Sequence, residues 1–178
     1  SVAAFPERSH LVGVYGLGKC QRLIALLRDA GYDRTIYLHG ALVGLCEFYE
    51  RHGVRLGSLT AVADERKAQG RDRLAGEIVL CPPSALKDRW SRRLADPVTA
   101  FASGWMRVRG RARQRGVELP LVISDHADWP ELIATIEATG AEEIWVTHGR
   151  EEALVHQIGR MGRRGRALAL IGREDEAE

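Results

Sequence analysis

A chain of 178 residues with 45% hydrophobic side chains is long enough to bury a core and too apolar for general disorder. Its 26 basic and 24 acidic residues leave a formal charge of only +2, so bulk charge does not mark a nucleic-acid binder, and any such role must rest on local distribution. In chain order, apolar runs of strand length alternate with amphipathic runs of helix length, the pattern of a parallel sheet covered by helices. Residues 11–15 read as a strand and 18–30 as a helix with Leu23, Ile24 and Leu27 on one face, stopped by Gly31. Residues 35–38 and 41–52 repeat the unit, with Leu42, Leu45 and Tyr49 inward and Gly53 as the stop. Residues 54–76 are charged and short of large apolar groups, which predicts a surface excursion with one weak strand near 59–62.

Order returns with a buried strand at 78–81, a Pro82-Pro83 break, a helix from Ala85 to Leu94 capped by Ser84, and a strand at 97–101. The stretch that follows Ser103-Gly104-Trp105 carries Arg107, Arg109, Arg111, Arg113 and Arg115, the strongest local charge bias in the chain. A charge run is usually a solvated connector. Beside Trp105, however, guanidinium groups could hold phosphates while the indole stacks on a base. Strands at 119–124, 143–147 and 167–171 alternate with helices at 129–139 and 151–161, and the acidic tail 174–178 is expected to fray. The fold class is therefore α/β, a three-layer Rossmann-like arrangement, with a domain boundary placed in the arginine-rich stretch near 106–116.

Cys20, Cys46 and Cys81 lie far apart without C-x-x-C spacing and read as reduced, buried thiols. No apolar run approaches the roughly 20 residues of a membrane helix, and residues 1–10 lack a signal pattern, so a soluble, cytoplasmic chain is expected. In an open α/β sheet, ligands collect beyond the carboxyl ends of the strands. Two polar clusters fall there: Ser124-Asp125-His126-Ala127-Asp128 and Thr147-His148-Gly149. A histidine so placed can bind a divalent metal or give a proton to a leaving oxygen, with Asp128 fixing its tautomer, or it can simply bond a backbone carbonyl. His10, His52 and His156 are expected at a terminus or on helix surfaces, and His39 in a structural strand-end turn. Gly16-Leu17-Gly18-Lys19 lacks both the Walker pattern and the third glycine of a dinucleotide fingerprint, which favours a tight strand-to-helix turn over a phosphate loop.

Taken together and in this order, these segments resemble the C-terminal half of β-CASP nucleases of the metallo-β-lactamase superfamily. Ser124-Asp125-His126-Ala127-Asp128 is similar to the family's motif B and Trp145-Val146-Thr147-His148-Gly149 to its motif C, while Tyr15 to Arg22 is similar to the start of its first helix. Phe101 to Met106 and the run from Ser124 to Trp129 look most like bacterial ligase-associated DNA exonucleases, and an RNA 3′-end processing relative is the alternative. The resemblance implies a β-CASP domain over 1–106 and the C-terminal segment of a metallo-β-lactamase domain over 107–178. It implies catalytic roles for His126, Asp125 and Asp128, a zinc-ligand role for His148, and substrate contacts from Ser124, Ser103, Gly104, Trp105, Arg107, Arg109 and Lys19. It also implies two zinc ions acting on a phosphodiester of single-stranded DNA or RNA in the whole enzyme.

No H-x-H-x-D-H motif occurs in these residues, so the zinc ligand set is expected on a missing N-terminal half, leaving this portion inactive alone with zinc weakly bound or absent. Uncovering the sheet would leave an apolar patch through which two copies could pair, and ligase-associated repair proteins are the implied partners. Two other classes compete: a non-catalytic nucleic-acid-binding module, and an unrelated Rossmann-like enzyme using Gly16 to Lys19 as a nucleotide turn.

Overall fold

In the computed structural model, residues 1–63, 74–94, 96–147, 149 and 151–168 are described. The chain forms two compact units, Ser1–Asp125 and His126–Glu178. The first is built on six strands: β1 His10–Gly13, β2 Ile36–Leu38, β3 Leu59–Ala61, β4 Ile78–Cys81, β5 Val98–Ala102 and β6 Leu119–Leu121. They lie in the order β3-β2-β4-β1-β5-β6, and every pairing is parallel, so all six carboxyl ends emerge on one edge. β1 sits between β4 and β5, with His10 opposite both Ile78 and Val98.

Buried strands in a parallel sheet are apolar on both faces, and β1 and β4 are buried at all four positions each. Period-two alternation divides their side chains between two clusters. Val12, Val14, Ile36, Leu38, Ile78 and Leu80 pack with Cys20, Leu23, Ile24, Leu42 and Cys46 from helices α1 (Lys19–Asp29) and α2 (Gly40–Arg51). Leu11, Val79 and Cys81 pack on the opposite face with Val62, Leu74, Ala85 and Leu94. Gly13 ends β1 where a side chain would not fit: a Cβ there would come within 2.4 Å of Leu86.

The segment expected as a helix over 85–94 instead makes two short 3-10 turns, Pro83–Lys87 and Ser91–Arg93. Pro82 and Pro83 remove backbone donors at its start, Asp88 is extended, and the Asp88 carbonyl accepts from the Ser91 hydroxyl, which restarts the chain and turns Trp90 and Leu94 into the core. The arginine stretch is not a loop: Arg109–Arg115 forms helix α3, ended by Gly116 in the left-handed region at φ 62. Arginine, alanine and glutamine are good helix formers, and no residue of α3 is buried. Because α3 connects β5 to its neighbour β6, residues 107–125 group with the first unit, and the compact units divide at Asp125/His126.

His10, expected at an exposed terminus, is 4% exposed because it is the first residue of the central strand. Its Nε2 is 3.0 Å from the Ser1 hydroxyl. The second unit holds α4 (Trp129–Thr139), β7 (Glu143–Val146), α5 (Glu151–Arg160) and β8 (Arg164–Ala167), with β7 and β8 parallel and Ile136, Val146 and Ile158 as its core. The final strand was expected at 167–171. Pairing of Glu143 with Arg164 sets β8 at 164–167, and residues 169–178 lie outside the described residues. Among the described residues no helix is long and apolar enough to cross a membrane.

Candidate functional site

Three chain segments meet beyond the carboxyl ends of β1, β5 and β6. The first is the turn from Val14 into α1. Gly18 occupies its N-cap at φ 73, a conformation that disfavours L side chains, and a Cβ there would lie 3.1 Å from Asp125 Oδ2. Lys19 then points into the cluster, with its Nζ 3.1 Å from Asp125 Oδ1 and 5.1 Å from the centre of the Tyr15 ring. Its side chain is 6% exposed and that of Asp125 29%, so the ammonium is withdrawn from water beside a carboxylate that keeps access to it. Two early amides of the turn are already used, since Lys19 N donates to Leu17 O and Cys20 N to Tyr15 O. A phosphate-cradling loop leaves such donors open, so the geometry is that of a tight strand-to-helix turn.

The second segment follows β5. The amide of Ser103 donates to Leu121 O, and its hydroxyl accepts from Trp105 N at 3.3 Å, capping the 3-10 turn Gly104–Arg107. The third is Ser124-Asp125, drawn against the second: a Cβ on Gly104 would lie 3.2 Å from Ser124 Cβ and 3.4 Å from its hydroxyl. Lys19, Ser103, Gly104, Ser124 and Asp125 are therefore brought to one place.

Trp105 leads away from this cluster with 64% of its surface exposed. The Arg111 guanidinium stands 5.1 Å over its ring, and that of Arg115 stands 4.6 Å over Phe101. Among the described residues none of Arg107, Arg109, Arg111, Arg113 and Arg115 enters an ion pair. Arg109 with Arg113 and Arg111 with Arg115 are like charges four apart on α3, each costing about 0.2–0.5 kcal/mol. A bound polyanion would relieve that repulsion.

The other expected site residues belong to the second unit or lie outside the described residues. Asp128 opens α4 through a capping box: its carboxylate accepts from Glu131 N at 2.9 Å while the Glu131 carboxylate accepts from Asp128 N at 3.0 Å. His126 is the exposed first residue of the second unit. His148, the expected zinc ligand, lies outside the described residues. Among the described residues no three His, Cys, Asp or Glu side chains gather closely enough to hold a metal ion, so they do not themselves make a zinc site. His39 is structural: its Nδ1 accepts from Ala41 N at the start of α2, and its ring meets Trp90 edge-on at 4.7 Å.

Sequence reasoning named Lys19 and Asp125 separately and missed that they pair. The signal was their shared position just after parallel strands, where side chains of adjacent strand exits face one space.

Over 164 residues the chain is 26% identical to a protein of Opitutus terrae described as a probable DNA ligase; the match covers 92% of this chain. The chain spans 15% of that relative's length. No protein-family model matches the chain. No solved structure matches it.

Proposed function

We propose that the chain is the nucleic-acid-holding, C-terminal portion of a β-CASP-type phosphodiesterase, acting on single-stranded DNA with RNA as the alternative substrate. The observation that carries this reading is the continuity of one surface within the first unit: the Lys19–Asp125, Ser103-Gly104 and Ser124 cluster at the sheet's carboxyl edge runs into exposed Trp105 and the arginines of α3. Arginines grip phosphates and an open indole stacks on an unpaired base. The likeness to a probable DNA ligase supports DNA as the material handled. In this reading Ser124 and Ser103 meet the backbone of the strand, and His126 gives a proton to the leaving oxygen or stabilises charge at the phosphate. The zinc ions belong to His148 and to residues outside this sequence.

A second reading, a module that binds nucleic acid without cutting it, rests on the same exposed indole and arginine helix. One experiment separates the two: zinc content, single-strand binding and single-strand cleavage measured on the natural gene product that contains these residues. Chelator-sensitive cleavage of a bound strand supports the phosphodiesterase. Salt-sensitive binding with no cleavage by zinc-loaded protein supports the module, and absence of binding rejects both.

A further inference from the structure

Helices α1 and α2 meet through two cysteines. Cys20 lies in the first turn of α1 and Cys46 in the middle of α2, both essentially fully buried, with their sulfurs 4.0 Å apart. The Gln21 side-chain amide donates to Cys46 Sγ at 3.5 Å, while its Oε1 is buried with no hydrogen-bond partner among the described residues. Cys46 also lines a groove of about 350 Å³ with Val43, Glu47, Glu50, Leu59 and Thr60, space enough for a small oxidant to lodge beside that residue. A buried polar amide held on a sulfur that packing alone would surround with apolar atoms suits a thiol that changes state.

We propose that Cys46 and Cys20 form a peroxide-responsive dithiol, Cys46 being the attacking sulfur at the groove and Cys20 the resolving sulfur behind it. The two are unequal in the required direction. Hydrogen bonding between the two thiols, seconded by the Gln21 amide, holds the Cys46 thiol below the ordinary range against its own burial; the same contact and burial push Cys20 up. The Cys46 thiolate attacks one peroxide oxygen, the O–O bond breaks, and hydroxide leaves, giving Cys46 sulfenic acid. The Cys20 sulfur then attacks the Cys46 sulfur, the S–O bond breaks, and the hydroxyl departs as water with the Cys20 proton. Two thiols lose two electrons in all, and one peroxide becomes two waters. An S–S bond of about 2.05 Å requires the sulfurs to close by about 2 Å, within reach of side-chain rotation. The bond ties to α2 the turn that presents Lys19, the residue next to Cys20.

The test treats the folded protein with stoichiometric hydrogen peroxide and reads intact mass and non-reduced peptide maps. The wild type is expected to lose two hydrogen atoms, to link the Cys20 and Cys46 peptides, and to gain several degrees in Tm that dithiothreitol reverses. Cys20→Ser should instead leave a Cys46 sulfenic acid that dimedone traps, while Cys46→Ser and Cys46→Ala should leave Cys20 unoxidised. Gln21→Leu should slow oxidation several-fold. Cys81, whose thiol burial pushes up to about 12, serves as the internal control. An unlinked wild type, Cys81 oxidised as fast as Cys46, or a Cys20 that oxidises equally well in folded Cys46→Ala would overturn the proposal.

Discussion

Replacing Asp125 by alanine strands the Lys19 ammonium in the protein, whereas replacing Lys19 by methionine leaves a carboxylate that water can still reach. The two substitutions delete the same 3.1 Å ion pair, yet the partners are 6% and 29% exposed. Breaking a fully buried pair costs about 3–5 kcal/mol, almost all of it the penalty of the charge left behind. With Asp125 partly hydrated, Asp125→Ala should cost about 2–3 kcal/mol, roughly 30- to 150-fold in the unfolding constant. Lys19→Met should cost about 1 kcal/mol, because methionine fills the channel of the lysine stem and the surviving carboxylate turns to solvent. The double substitution should lie close to Lys19→Met, since no unpaired charge remains. Urea unfolding followed by fluorescence measures all three, with the midpoint moving and the m-value unchanged. A Lys19→Met variant that loses as much as or more than Asp125→Ala would refute the claim that the pair is held together by the lysine's burial.

Trp105→Ala should weaken binding of a short single-stranded oligonucleotide by about 1–3 kcal/mol, roughly 5- to 150-fold, read by fluorescence anisotropy, and unchanged affinity would remove the stacking role. Arg109→Ala and Arg113→Ala should each lower the slope of log affinity against log salt by about 0.7, the single-strand value per phosphate contact. Burial holds the His10 imidazole below its ordinary value of 6.5, so the unfolded chain takes up the proton first; stability is full above that pH and falls as the pH drops through it. His10→Gln should flatten that acid limb in a pH series of thermal or urea unfolding. Asp128→Ala should cost about 1 kcal/mol through loss of the capping box, whether or not it alters catalysis.

The alternation of apolar strands and amphipathic helices was legible along most of the chain, because β1 and β4 are buried on both faces and α1 carries one clear apolar stripe. Residues 85–94 read as one helix although their apolar residues serve two separate turns, a distinction set by tertiary packing of Trp90 and Leu94. α3 was hidden for the opposite reason: a helix with no buried residue has no periodic apolar signal. Of the site, positions at strand exits could be read locally, but contacts between exits depend on strand order. Nothing in the spacing of Lys19 and Asp125 announces that β1 and β6 flank β5. The same holds for Cys20 and Cys46, which only the packing of α1 on α2 brings together.

The proposed function rests most directly on cleavage. The natural gene product containing these residues should degrade labelled single-stranded DNA or RNA, and His126→Ala should slow cleavage by about 10²–10⁴-fold, the usual worth of a positioned proton donor, while leaving binding intact. Undiminished cleavage by His126→Ala, or no cleavage by zinc-loaded protein that binds the strand, would contradict it.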